Sequence, residues 1–229
     1  MVERVSRAAL GMAGAVTDAV GTRIFLNDWE TMITPTAHTL RMTDDKFDLA
    51  LTLVPTKGPI PHGEGGYSRK GSLPEQASCY YSFPRLRTHG RIGIGETVYE
   101  VDGAAWMDHE YSTAPLAEGV TGWDWFSLQL DDQRDLMFFL LRLKTGGIHP
   151  ASAGTLIEPD GRTVQLSHLD FQPRVTRRWT SPATGSQVSP RLCSIPISAA
   201  SSRDPIATMG AWAATAGSNV HPRTVSTGS

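Results

Sequence analysis

Trp106-Met107-Asp108-His109-Glu110-Tyr111-Ser112-Thr113 is followed shortly by Gly122-Trp123-Asp124-Trp125-Phe126. Large rings alternate with carboxylates through both blocks. Burying a carboxylate costs free energy unless the charge is paired. Such a segment is therefore either the wall of a liganded apolar cavity or a heavily hydrogen-bonded surface. Taken as a strand, residues 106–111 put Trp106, Asp108 and Glu110 on one face and Met107, His109 and Tyr111 on the other. If the first set faces the lumen of a curled sheet, two carboxyls enter a low-dielectric space beside an indole. Desolvation then raises at least one carboxyl toward the range a general acid needs at neutral pH. The alternative is that Asp108 and Glu110 accept hydrogen bonds from backbone or arginine at a barrel rim.

The period of two extends outward from there. In Trp123 to Leu130, Trp123, Trp125, Ser127 and Gln129 share one face, and Asp124, Phe126, Leu128 and Leu130 the other. Both faces carry bulky rings, which fits burial on both sides or a flat aromatic wall for a polyene, polyketide or lipid-like ligand. Phe47, Leu49, Leu51 and Leu53 alternate in the same way. Tyr80 to Phe83 is a short aromatic strand ended by Pro84. Arg91 to Val101 is a hairpin with Gly95-Glu96 at its tip. Leu136 to Leu143 favours a strand, and Glu158-Pro159-Asp160-Gly161 turns between two more. Many short strands joined by hairpins predict a mainly β, antiparallel barrel or sandwich. A short helix is expected from about Glu3 to Ala15, ahead of the strands.

Composition narrows the function. The chain has 229 residues, a net charge of −2 and 40% hydrophobic residues, enough for a real core. Near-neutrality gives no electrostatic case for nucleic acid or anionic membrane. No apolar run is long enough for a transmembrane helix. Glu3 and Asp18 spoil a signal peptide, so localisation stays open, with the cytoplasm favoured by that lack. Cys79 and Cys193 imply no disulfide framework and read as free thiols. Seven dispersed histidines form no zinc motif, and no cofactor is called for. Gly63 to Gly71 lacks phosphate-loop spacing and reads as a glycine-rich turn carrying Arg69 and Lys70 near a cavity mouth. No G-x-S-x-G elbow marks a nucleophilic serine. From Ser181 onward, Ser, Ala, Thr and Pro dominate, a composition that does not offset its own ordering entropy.

Several blocks resemble the AttH-like and carotenoid 1,2-hydratase family. They are Gly63 to Gly71, Ser78 to Ser82, Trp106 to Thr113, Trp123 to Leu130, Leu136 to Arg142, Ser152 to Thr155 and Trp179 to Gly185. The resemblance implies two consecutive lipocalin-like β-domains. It divides the chain into a helical segment (1–22), the second half of a first domain (23–117), the first part of a second (118–180) and a disordered or aberrant tail (181–229). Family blocks lacking at both ends read as truncation. Cys79 stands where a tyrosine is common, and Tyr111 where a tryptophan is common. In the hydratase branch an acid at the position of Asp108 protonates an alkene, which implies Asp108 as catalytic acid with Glu110 and Tyr81 as cavity neighbours.

Three functions fit. The first is a protein that binds a hydrophobic small molecule (polyene, isoprenoid or lipid-like) and acts as a hydratase or isomerase through Asp108 and Glu110. The second is a non-enzymatic carrier or envelope-associated module. Tyr81, Trp106, Tyr111, Trp123 and Trp125 form the expected ligand wall. The third is a truncated remnant without activity. Open sheet edges left by missing strands predict self-association.

Overall fold

The computed structural model describes residues 5–6, 8–114, 116–171, 175–180, 187–192 and 219–223, with side chains up to residue 171. The chain forms two compact units. One contains residues 1–58, 85–107 and 216–229, the other 59–84 and 108–215. The strands, in chain order, are β1 (Ala13–Thr17), β2 (Thr22–Leu26), β3 (Trp29–Ile33), β4 (His38–Asp44), β5 (Phe47–Pro55), β6 (Ile60–Pro61), β7 (Tyr67–Arg69) and β8 (Ala77–Ile94). They continue with β9 (Thr97–Tyr111), β10 (Val120–Gln129), β11 (Asp135–Leu143), β12 (Ala153–Ile157), β13 (Thr163–Ser167), β14 (Val175–Thr180), β15 (Gln187–Leu192) and β16 (Asn219–Arg223). Every strand pairing among the described residues is antiparallel, and these residues contain no helix, in keeping with the antiparallel, lipocalin-like all-β class. Among the described residues no helix is long and apolar enough to cross a membrane.

In the first unit β1 to β5 form a meander, each strand pairing with the next. β5 then pairs with residues 86–94 of β8, from Phe47↔Ile94 to Pro55↔Leu86. Gly95-Glu96 forms the expected hairpin tip between β8 and β9. The expected helix from Glu3 to Ala15 is not formed where its residues are described. Residues 9–12 make a turn, with Gly11 at φ +76°, and Ala13 already begins β1. A left-handed glycine stops a helix, and the β-branched Val16 and Thr17 favour pairing with β2.

In the second unit β6 and β7 pair with the first part of β8, through Ile60↔Ser82 and Tyr67↔Cys79. β10 to β13 form a second meander. Its core is β11, buried on both faces from Asp135 to Leu141, as the run Leu136 to Leu143 implies. Leu136, Phe138 and Leu140 pack with Leu156, Leu166 and Phe171, and Phe126 and Leu128 lean on that cluster. The Phe138 ring stacks on Phe126 at 4.4 Å and meets Phe171 at 4.6 Å. The Glu158–Arg162 turn closes as expected, with Glu158 N–H donating to the Arg162 carbonyl at 2.8 Å.

β8 does not end at Pro84 but runs through it. Pairing with β6 stops at Ser82 and pairing with β5 starts at Leu86, so the missing N–H falls in a gap on that flank. Of the stretch 181–229, only the backbones of β15 and β16 are described, and Cys193 lies outside the described residues. Cys79 is an exposed free thiol.

Candidate active site

The site belongs to the second unit and grows from the alternation of β8. Ser78, Tyr80 and Ser82 share one face of that strand and are 3%, 2% and 0% exposed. Hydroxyls so deeply placed need partners. They find them on β9, whose Asp108 and Glu110 are also two residues apart. Tyr80 Oη donates to Asp108 Oδ1 at 2.9 Å, and Ser82 Oγ donates to the same oxygen. Ser78 Oγ donates to Glu110 Oε1 at 2.6 Å.

The β10–β13 sheet supplies the next groups. Its register (Trp125↔Phe139, Met137↔Thr155, Thr155↔Gln165) puts Trp125, Phe139, Thr155 and Gln165 on the face opposite the Phe138 core. Trp125 Nε1 donates to Tyr80 Oη at 2.9 Å. His62, which follows β6, lies between the two layers. Its Nδ1 is 2.9 Å from Thr155 Oγ1 and its Nε2 is 2.7 Å from Ser82 Oγ. The imidazole sits 4.4 Å from the Tyr80 ring, centroid to centroid. Gly63 lets the chain turn beside it. This residue adopts φ +71°, and a Cβ there would lie 2.4 Å from the Tyr67 carbonyl oxygen, so only glycine fits.

Burial sets the charge states. Desolvation first, then the nearby Lys70 charge, lowers the His62 pKa to about 3, so the ring is neutral at physiological pH. Burial, then the charge of Asp108, pushes the Tyr80 phenol upward, so it remains a proton donor. Lys70 is pulled down by burial and held up by Glu110, with Nζ 2.9 Å from Glu110 Oε1 and 3.5 Å from the Phe139 ring centroid.

Ser82, His62 and Asp108 resemble a hydrolase triad in composition but not in wiring. In a triad the acid holds the histidine and the serine is open to substrate. Here Asp108 bonds to the serine, His62 Nδ1 is taken by Thr155, and Ser82 is fully buried. Nucleophilic attack by Ser82 is therefore closed off. Among the described residues no group of His, Cys, Asp and Glu is placed to hold a metal ion.

The expected site residues divide into two sets. Asp108 and Trp125 meet through Tyr80. Trp123 shares the Trp125 face but is 57% exposed, against 38% for Trp125, so burial of both β10 faces does not hold. Asp108 and Glu110 are exposed residues rather than occupants of an enclosed low-dielectric cavity, and neither is unpaired. Glu110 is the ion-pair partner of Lys70. Tyr81 is not a neighbour of the acid. One residue along the strand from Tyr80, it bonds to His109 Nδ1 at 3.1 Å on the other face, where His109 also meets Tyr111. Tyr111 is 60% exposed there. Trp106 is half-buried and belongs to the first unit. A cavity of about 350 Å³ in that unit, lined by Asp44 to Asp48, Arg91, Gly93, Gly95 and Val98, contains none of the candidate residues. Ser78, Tyr80, Ser82, His62 and Thr155 are the groups missed by sequence, whereas Lys70, expected only as part of a glycine-rich turn, pairs with Glu110. Ser78-x-Tyr80-x-Ser82, a polar face opposite Asp108-x-Glu110, is the signal that could have found three positions on β8.

Comparison with known proteins agrees with this architecture. A crystal structure of a protein assigned as AttH from Nitrosomonas europaea is 31% identical, with a TM-score of 0.69 over 76% of this chain and 54% of that one. The chain thus spans about half the length of that relative. The crystal structure of kievitone hydratase from Nectria haematococca shares the fold at 13% identity, with a TM-score of 0.54 over 81% of this chain and 66% of the other. No curated protein matches. The AttH-like family model matches residues 1–203, and the chain belongs to the AttH-like family.

Proposed function

We propose that this protein binds a hydrophobic, alkene-bearing small molecule over the Trp123–Trp125 surface and that Asp108 protonates it. One observation carries the reading. Asp108 Oδ1 is held by two buried hydroxyls, and one of them, Tyr80, is itself fixed by the Trp125 indole. The acid and the aromatic edge thus share one rigid support, which positions a proton donor against a flat apolar ligand. A hydratase among the structural neighbours supports the reaction class.

The chemistry is an addition of water. The Asp108 proton forms a C–H bond with one alkene carbon as the π pair is consumed. The resulting carbocation takes the oxygen of water, and a water proton returns to the Asp108 carboxylate. Phenol and indole faces near the site stabilise the cation. Because Asp108 is exposed, the ligand itself supplies the apolar cover.

The test is Asp108→Asn, assayed with a polyene or isoprenoid panel by fluorescence quenching of the exposed tryptophans and by product analysis. The expected result is retained quenching with hydration reduced at least a hundredfold. Binding without any turnover in either protein identifies a carrier. Turnover that survives in Asp108→Asn removes the acid assignment.

A further inference from the structure

We propose that Lys70 captures the carbonyl end of a polyene or isoprenoid aldehyde as a protonated imine, with Glu110 as its counter-ion. This deepens the reading above and rests on it, because the Trp123–Trp125 surface holds the rest of the ligand. Lys70 directly follows β7, and its backbone N–H donates to the Gln76 carbonyl at 2.7 Å, which fixes the start of the stem. The side chain is 18% exposed and ends among rings. Nζ lies 3.5 Å from the Phe139 ring centroid and 5.2 Å from that of Tyr80. It donates to Ser68 Oγ at 3.1 Å, a hydroxyl on a residue only 3% exposed, and stands 2.9 Å from Glu110 Oε1. Phe139 is the β11 residue directly opposite Trp125, and Trp125 bonds to the Tyr80 phenol. The amine therefore borders the indole surface.

An ion pair made for stability alone leaves its lysine hydrated, as Lys46 and Lys144 are at the exposed surface. Lys70 gives that hydration up. Burial pulls its ammonium below the ordinary value, and Glu110 holds it up only in part. A desolvated amine set between rings is the environment in which lysines act as nucleophiles toward carbonyls. Such a lysine also needs a group to move protons. Glu110 Oε1 is held by Ser78 Oγ at 2.6 Å as well as by Lys70, and its side chain is 38% exposed, so the carboxylate meets the amine on one side and the ligand surface on the other.

The step balances without an outside reagent. The ammonium passes one proton to the Glu110 carboxylate. The nitrogen pair attacks the carbonyl carbon, a C–N bond forms, and the C=O π pair moves to oxygen, which takes the Glu110 proton. Glu110 then carries a second proton from nitrogen to the same oxygen. The C–O bond breaks, water leaves, and the nitrogen pair closes the C=N bond. Ammonium and aldehyde have become iminium and water, and Glu110 is a carboxylate again. The product keeps one N–H toward Glu110, and the Phe139 and Tyr80 rings that flank the ammonium now flank the iminium.

The test incubates the full chain with all-trans-retinal, traps imines with cyanoborohydride and maps the adduct by peptide mass over Lys46, Lys57, Lys70 and Lys144, the chain's lysines. Labelling of Lys70 at least about tenfold above any other lysine is expected. Before trapping, the protonated imine should show a red-shifted absorption band. Lys70→Met and Lys70→Arg should both abolish band and adduct, although arginine keeps the charge that a structural ion pair needs. Glu110→Gln should keep the adduct and move the band back to the blue, because the imine then loses its proton. All-trans-retinol, which has no carbonyl, tests the indole surface separately through quenching of tryptophan fluorescence. No adduct on Lys70, an even spread over the lysines, a band that survives in Lys70→Arg, or one unmoved in Glu110→Gln would overturn the proposal. Retinol quenching without a Lys70 adduct overturns it and leaves the ligand surface standing. A Lys70 adduct without retinol quenching upholds the lysine and removes that surface.

Discussion

Ser82→Ala removes the one group that joins His62 to Asp108, and its cost can be worked from the geometry. Ser82 is fully buried, and its Oγ is 2.7 Å from His62 Nε2. Losing a neutral hydrogen bond costs about 1 kcal/mol, and leaving the buried nitrogen without a partner adds roughly 1–2 kcal/mol. The Asp108 side adds little, because that residue is exposed and water can replace the serine. The sum is about 2–3 kcal/mol. With a urea slope of about 1–3 kcal/mol per molar, the midpoint of the second unit should fall by about 1 M. Replacing both partners should recover part of this, because the stranded group goes too. In a cycle with His62→Leu, the coupling energy should be about 1–2 kcal/mol. The assay is urea unfolding followed by tryptophan fluorescence for wild type, both single variants and the double variant. A Ser82→Ala cost below about 0.5 kcal/mol with additive behaviour in the cycle would refute the buried His62–Ser82 bond.

Three further outcomes are expected. Phe138→Ala empties the centre of the 126–138–171 ring stack and should cost about 3–5 kcal/mol in the same unfolding assay. His62 gains stability from being neutral: the unfolded ring protonates below its ordinary value of 6.5, while the folded one resists down to about 3. Its contribution is thus complete above 6.5 and falls between these values as pH drops, by up to about 1.4 kcal/mol per pH unit. Urea midpoints at a series of acidic pH values should show that slope, and His62→Leu should remove it. Lys70→Met keeps the volume over the Phe139 ring and discards a desolvated charge, while the exposed Glu110 rehydrates. Its stability should change by less than about 1 kcal/mol or rise, whereas Glu110→Gln, which removes the ammonium's charge partner and leaves it the Ser68 hydroxyl, should cost about 1–3 kcal/mol.

Period-two patterning made β5 and β10 legible because each alternates within itself, and β11 was legible as an unbroken apolar run. β5, β10, β11 and the 158–162 turn follow directly from their own residues. Two errors show where that logic stops. The helix from Glu3 to Ala15 was drawn from apolar content, but Gly11 in a left-handed turn and the pairing of Ala13 with Leu26 decide otherwise. Tyr81 in place of Tyr80 is an error of phase. One strand's alternation gives two faces, and only its neighbours say which face meets Asp108. His62 and Thr155 lie 93 residues apart, and no local pattern links them. Their partnership is a product of strand register, which places Thr155 opposite both Met137 and Gln165.

Register also explains how an exposed acid can belong to a buried network. Asp108 turns Oδ1 toward Tyr80 and Ser82, while the residue as a whole is exposed. A fully enclosed acid would have to exclude its own substrate, whereas a fully solvated one would have no fixed proton direction. The β8 face resolves this by alternation, because hydroxyls at Ser78, Tyr80 and Ser82 are 3% exposed or less while the carboxylates they serve lie at the surface. A charge placed within the hydroxyl row, for example Tyr80→Asp, would put two carboxylates against each other, and folding of the second unit should fail. Tyr80→Phe keeps the ring against His62 and removes the phenol's bonds to Asp108, Trp125 and Ser82. It should therefore leave the unit folded while loosening the acid from the aromatic edge. If Tyr80→Phe changed neither ligand quenching of Trp125 nor turnover, the shared support of acid and indole would have no functional role.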